Sequence, residues 1–501
     1  MKNRMTAMAA AMVLAALPGA AEVALPAILA DHMVVQRGRP VHVWGAASPT
    51  EALTVTFRGE GRSTVADDLG RWSLYLTPGE AGGPFSMTVE GTNTVTLVDV
   101  WVGDVWMAAG QSNMEFALES AEGAAIEIPK ARYPDIRFFR IARKTSTYVL
   151  EDVAASGWAP CSPDTAKHFS AVAYFFARDL HEQLHVPIGV IDASWGGTPV
   201  ASFTSLSAIG RDAALIPTIA HWAEAAREQS TTLRRIDQET RDLDAATALA
   251  QAEGRPAPSR PWHRDFDAWA PAAIYNAMIA PVTAFPIRGA IWYQGESDAS
   301  PERAPVYGRL FQAMIRDWRE AWGVGEFPFL FVQLASWKAG PVNAWPEVRE
   351  AQDDALSLAH TGMAVAIDVG DPIDIHPRDK KTVGARLALA ARAVAYGERI
   401  EHSGPVCRQV TREGPALRVS FDHGDGLTFR GPGGPRGFEI AGADGKYVNA
   451  LAKIEGTTLL LSSPDVSAPR SVRYAWADNP EVSLYNAQGL PASPFRWAER
   501  K

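Results

Sequence analysis

The middle of this chain alternates short apolar runs of strand length with helix-length segments, and no other feature restricts its fold as strongly. Between about residues 101 and 400 the runs are Val102 to Ala109, Val186 to Ile191, Gly289 to Tyr293, Phe329 to Leu334 and Met363 to Ile367. Each reads as a strand buried on both faces. Ser170 can cap a helix over Ala171 to Leu184, ahead of the second run. Strands in alternation with helices predict an α/β domain whose parallel sheet is covered on both sides. Ligands in such folds sit outside the carboxyl ends of the strands.

The flanks read differently. Residues 22–100 hold Val41 to Gly45, Leu53 to Phe57 and Trp72 to Leu76, short β-branched and aromatic runs with a turn at Asp68-Leu69-Gly70. A small N-terminal β-sandwich is expected there. Residues 401–501 return to β signals: Leu417 to Phe421 alternates, Leu459 to Leu461 is apolar, and Gly431 to Gly437 is rich in turn residues. Inside the middle segment, about 218–253 is charged, Ala-rich and free of Gly and Pro. That predicts an inserted helix or helical hairpin, either a solvated arm or a lid over a site. Residues 1–21 combine Lys2 and Arg4, an apolar stretch from Met5 to Leu17, and Gly19-Ala20-Ala21. This pattern predicts an export signal and a periplasmic or secreted mature protein.

A chain of 501 residues exceeds one ordinary core, so several domains are expected. The formal net charge of -9 argues against a nucleic-acid partner. No stretch after the leader is long and apolar enough to predict a membrane span. Cys161 and Cys407 do not make a disulfide framework, and whether they pair is open. There is no zinc-type Cys/His spacing and no phosphate-binding P-loop.

Three groups could make a hydrolytic site. Gly110-Gln111-Ser112-Asn113-Met114 follows a strand run and can start a helix, which exposes the Ser112 hydroxyl beside backbone N–H groups fit to hold an oxyanion. Asp371-Pro372-Ile373-Asp374-Ile375-His376-Pro377 follows another strand end. A serine hydroxyl is a poor nucleophile until a neighbour takes its proton, and histidine titrates near neutrality. A carboxylate then holds the ring, and either Asp374 or Asp371 could reach it. Gln294-Gly295-Glu296-Ser297-Asp298 follows the strand ending at Tyr293. Its Gln294 could supply an oxyanion donor, and Glu296 an orienting acceptor. Ser194-Trp195-Gly196-Gly197-Thr198 offers glycine N–H groups at a further strand end.

Together Gly-Gln-Ser-Asn-Met (110–114), Trp-Gly-Gly-Thr (195–198), Trp-Tyr-Gln-Gly-Glu-Ser (292–297) and Asp-Ile-His-Pro (374–377) resemble the blocks of the sialate O-acetylesterase-like carbohydrate esterases of the SGNH hydrolase superfamily. Phe169 to Thr198, Tyr275 to Pro281 and Tyr474 to Arg496 fit the same setting. The resemblance implies a flavodoxin-like three-layer hydrolase domain that removes acetyl groups from sugars without a metal or other cofactor. It implies Ser112 as nucleophile, His376 as base and Asp374 as acid. The Ser112 N–H, a glycine N–H at 196 or 197 and the Gln294 amide match the oxyanion hole. Many members place the acid three residues before the histidine. Ile373 stands there, so Asp374, Asp371 or a dyad without a carboxylate stay open. Asp298 stands where asparagine is more usual.

The leading expectation is therefore an esterase that frees acetate from O-acetylated carbohydrate. Gln111, Asn113, Trp195, Trp292, Glu296 and Arg378 are expected to bind or orient the substrate, with Trp195 or Trp292 closing a small acyl pocket. Acetylated plant polysaccharide (xylan, xyloglucan) and O-acetyl sialic acid both fit. The lack of an arginine cluster near the motifs tilts the choice toward the plant polymers. An inactive carbohydrate-binding protein and a broader lipase or thioesterase are the alternatives.

Overall fold

In the computed structural model, which describes residues 22–499, the alternating segment forms one mixed sheet. Its strands lie in the order Thr361–Ala364, Phe329–Val332, Gly289–Tyr293, Thr94–Gly110, Ile188–Asp192, Tyr133–Ile141 and Ala155–Cys161. Neighbours are parallel, except that the last strand runs antiparallel at the edge. Gly289–Tyr293 and Ile188–Asp192 are buried at every residue, as sheet covered on both faces requires.

Two cores cover the two faces. On one side Phe175, Phe176, Val383 and Leu387, from helices Ala171–Leu184 and Lys380–Val394, pack with Val190, Ile291 and Leu330. On the other, Tyr307, Phe311 and Trp318 of helix Ala304–Trp322 pack with Trp292 and Phe331. This is a three-layer α/β/α hydrolase fold with β-rich flanks. The helix expected over Ala171 to Leu184 has those bounds, and the Ser170 hydroxyl accepts from the Ala173 N–H. The run Met363 to Ile367 stays buried, but its strand ends at Ala364. Beyond that point Arg386 takes the Val365 carbonyl and Ser336 the Ile367 carbonyl, so side chains replace the neighbouring strand.

The central strand Thr94–Gly110 is long for a physical reason. Its first half pairs antiparallel with Gly82–Glu90 among the N-terminal β-strands, and its second half joins the hydrolase sheet. Strand order reverses beside it, so its carboxyl end at Gly110 opens into the crevice where such folds bind ligands.

Residues 216–252 form two helices, Ile216–Arg227 and Gln229–Ala252; in the second only Ala250 is buried. The C-terminal region contains two four-stranded antiparallel sheets. It is tied to the hydrolase layer by Gln333, which donates to the Ser493 hydroxyl, and by Arg349, which is fully buried. Cys161 and Cys407 are both free thiols, and burial pushes each up to about 12. Among the described residues no helix is long and apolar enough to cross a membrane. The signal-like residues 1–21 lie outside the described residues.

Candidate active site

Gly110 ends the central strand with φ +138°, and a Cβ there would sit 2.2 Å from the Tyr293 carbonyl oxygen. Only glycine lets the two strands approach this closely before the chain turns. Gln111 then stands at the N-cap of a one-turn helix, Ser112–Glu115. Gln111 and Asn113 are buried, while Ser112 between them is half-exposed. The Ser112 hydroxyl alone faces the crevice.

His376 comes from the loop between strand Thr361–Ala364 and helix Lys380–Val394. Its Nε2 lies 2.8 Å from Ser112 Oγ, within hydrogen-bond reach. Its Nδ1 lies 3.5 Å from Asp374 Oδ1, an oxygen that also accepts the His376 backbone N–H at 2.9 Å. The Asp374 side chain is 57% exposed, so this carboxylate orients the ring through a partly wet contact. Asp371 is turned to its own loop, where Oδ1 accepts the N–H groups of Ile373 and Asp374. It shapes the segment that carries Asp374.

Three loops are bound together beneath the serine. Gln111 Oε1 accepts from the N–H groups of Gly295 and Ser297. Asn113 Nδ2 donates to Glu296 Oε1 at 2.5 Å and to the Ile375 carbonyl at 3.0 Å, next to His376. Asn113 Oδ1 accepts from the Lys380 ammonium. Gln111, Asn113 and Glu296 therefore hold the loops that carry Ser112 and His376 to one another. Lys380 is wholly buried, and desolvation lowers it to about 7, although Glu296 opposes that shift. Burial likewise raises the Glu296 carboxyl, with Asn113 pulling the other way. Lys380 escaped sequence reasoning: it is one more lysine at a helix start, and nothing local marks it as buried.

Other expected residues occupy different roles. Trp292 is fully buried, edge-on to Phe203 and Trp318 and stacked on Phe311, so it belongs to the core and cannot touch a sugar. Gln294 is also fully buried, and its amide donates to the Thr198 carbonyl and to Asp298 Oδ2. Its donors are spent on the loop below the crevice and do not face Ser112. Asp298, where asparagine was more expected, is buried and also accepts the Val200 N–H. Both bonds fall on Oδ2, and Oδ1 lies 3.9 Å from Arg303 Nε, so the carboxylate also faces a cation. Gly196 does stand beside Ser112, its Cβ position 3.3 Å from Ser112 Cβ, but its N–H donates to Glu115 Oε2 at 2.8 Å. Glu115 is paired in turn with Arg143. Among the described residues, the N–H groups of Ser112 and Gly197 have no acceptor in the protein. Trp195 is half-buried at the rim, with the Arg143 guanidinium 5.7 Å over its ring. Arg378 donates to the Ser120 carbonyl, which ties the histidine loop to the segment after Ser112.

The basicity of His376 follows from these neighbours. Burial lowers its pKa below the usual 6.5, the Lys380 charge lowers it further, and Asp374 partly restores it. The neutral, proton-accepting ring is thus populated at a lower pH than in a free histidine. Asp374→Asn removes the one raising charge, so the acidic limb of the kcat/KM profile should move to lower pH. Because the contact is partly exposed, kcat should fall about 10- to 100-fold, less than for a fully buried triad aspartate. A pH-rate profile checks both, and an unmoved acidic limb would exclude Asp374 as the partner of His376.

Comparison with known proteins identifies the family. Residues 256–393 match the model of the carbohydrate esterase, sialic acid-specific acetylesterase family. The sialate O-acetylesterase of Mus musculus is 30% identical, across 93% of this chain and 92% of that one. The Homo sapiens sialate O-acetylesterase is 32% identical across 90% and 88%. The crystal structure of a carbohydrate acetylesterase from Xanthomonas citri superposes with a TM-score of 0.83 at 36% identity, covering 95% of this chain and 99% of that one. The fold and these relatives together define a carbohydrate esterase. The chain belongs to the sialate O-acetylesterase family.

Proposed function

We propose that this enzyme removes O-acetyl groups from a glycan through an acetyl-enzyme on Ser112. The observation that carries the reading is the 2.8 Å approach of His376 Nε2 to Ser112 Oγ at the carboxyl end of the central strand. His376 takes the hydroxyl proton as Oγ attacks the acetyl carbonyl, and Asp374 steadies the imidazolium. The Ser112 N–H and the Gly197 N–H stabilise the oxyanion. Collapse of the tetrahedral intermediate expels the sugar oxygen, which takes the proton from His376. Water, deprotonated by the same ring, then frees acetate.

The sugar is an O-acetylated plant-type polysaccharide or its oligosaccharides (xylan, xyloglucan), ahead of O-acetyl sialic acid. Two arginines near the catalytic loops are already engaged, Arg143 with Glu115 and Arg378 with a carbonyl. Neither of these two is free to take a sialate carboxylate. The signal-like residues 1–21 support an exported enzyme that meets such glycans outside the cytoplasm. Chemistry is assigned to the segment 101–400, and no catalytic group to the flanking β regions.

Acetate release from acetylated xylan, acetylated xyloglucan and O-acetyl sialic acids tests this directly. Release from a plant polymer at the highest kcat/KM is expected. Preference for O-acetyl sialic acid would overturn the substrate assignment. A rate on synthetic esters that peaks at long acyl chains would replace it with a lipase. No turnover of any ester would leave a carbohydrate-binding protein.

A further inference from the structure

Trp262 is 66% exposed, yet it is not an isolated surface ring. It lies on the segment that returns from the inserted helices, and a Cβ on Gly197 would meet its indole at 2.8 Å. Gly197 has φ +74° and follows Gly196, the residue packed against Ser112. The strand end that flanks the nucleophile therefore needs glycine partly because a tryptophan lies on it. Trp269 stands behind, tilted against Trp262 with ring centroids 6.2 Å apart, and its Nε1 donates to the Gly197 carbonyl at 2.6 Å.

Trp269 is also one wall of a cleft of about 340 Å³ between the hydrolase body and the inserted helix Ile216–Arg227. Trp222 closes it from the helix, and Pro199 and Asp298 form its floor beside the catalytic loops. The guanidinium groups of Arg264 and Arg303 lie 5.6 and 4.8 Å from the Trp269 ring. Arg303 is held by the Ser297 carbonyl, whereas Arg264 forms no hydrogen bond or ion pair among the described residues. Burial lowers the Arg264 pKa, and the neighbouring Arg303 charge lowers it further, as befits a half-buried cation without a counter-charge.

Aromatic faces and a free multidentate donor are the chemistry that receives a sugar: the rings cover its C–H face and the guanidinium donates to its oxygens. A cleft of this size holds a ligand the size of one sugar unit. We propose that Trp222 and Arg264, which line this cleft, and Trp262, which adjoins it against Trp269, form the subsite for the sugar adjoining the acetylated one, so that the inserted helices set how much glycan the enzyme grips. The inference rests on the esterase reading and extends it to a second, non-reacting unit of the substrate.

Trp262→Ala, Trp222→Ala and Arg264→Gln, assayed against the preferred acetylated oligosaccharide and against 4-nitrophenyl acetate, test it. Each variant should raise KM for the oligosaccharide about tenfold with little change in kcat. Turnover of 4-nitrophenyl acetate, which has no second sugar, should stay within about twofold of wild type and thereby also report intact folding. Unchanged KM for the oligosaccharide in all three variants would overturn the subsite while the esterase stands. Equal losses on both substrates would overturn it too, since the residues would then support the catalytic loops. A wild-type enzyme inert toward both esters would remove the esterase reading itself, and the subsite with it.

Discussion

Ser112→Ala is expected to lower acetate release by about 10⁴-fold or more while leaving the protein folded. Among the described residues the only hydrogen bond of the Ser112 hydroxyl is to His376, and the side chain is half-exposed, so its loss leaves no buried polar group stranded. The change in unfolding free energy should stay within about 0.5 kcal/mol. His376→Asn should fall to a similar residual rate, because a nucleophile without its base and a base without its nucleophile fail alike. The double variant should be no slower than either single one, since the two groups act as a unit. Steady-state kinetics on one acetylated substrate decide the matter. A Ser112→Ala rate within tenfold of wild type would place the nucleophile elsewhere.

Arg349→Met should produce the largest loss of stability. The side chain is fully buried and donates to the carbonyls of Leu334, Ala335, Ala477 and Asp478 at 2.8, 2.9, 2.6 and 2.9 Å. Two of those carbonyls belong to the hydrolase layer and two to the C-terminal region, so one cation joins both. Desolvation lowers the guanidinium to about 9, with Asp478 opposing, and it remains charged at neutral pH. Methionine fills much of the space but supplies no donor: the Leu334 and Ala477 carbonyls lose their partner, while the Ala335 and Asp478 carbonyls keep Trp345 Nε1 and the Trp337 N–H. The expected cost is about 3 kcal/mol or more, given that a hydrogen bond to a charged group contributes about 1.5–3 kcal/mol. Urea unfolding should show the shift, and limited proteolysis should cut first in the C-terminal region. A loss below about 1 kcal/mol would mean that water or local rearrangement satisfies those carbonyls.

Much of the frame was legible along the chain because it depends on local pattern. The Gly289–Tyr293 strand has the expected bounds, as does the helix Ala171–Leu184 with its Ser170 cap. Apolar runs and capping residues specify such elements within a few residues of themselves. The strand expected to reach Ile367 ends at Ala364, because distant side chains, Arg386 and Ser336, supply the hydrogen bonds beyond it. The pairing of Ser112 with His376 was also foreseeable: each sits at a strand end, and parallel strands bring their carboxyl ends to one edge of the sheet.

Roles that depend on which way a side chain points were not legible. Trp292 and Trp262 are the same residue type, yet one is sealed among Phe203, Phe311 and Trp318 and the other lies open beside Gly197. Strand periodicity cannot say where Trp292 points when both faces of the sheet are buried, and Trp262 lies in a loop with no periodicity at all. Gln294 and Gly196 carry the donors that an oxyanion needs, but Asp298 and Glu115 have claimed them. Lys380 became a buried cation beneath Asn113 only because three loops converge there. The sequence by itself determined the order of strands and helices and the chemical groups available at the strand ends, since both are set by neighbours along the chain. The tertiary structure alone decided which groups keep a free hydrogen-bonding valence, because that depends on which acceptors the fold packs against the same donors.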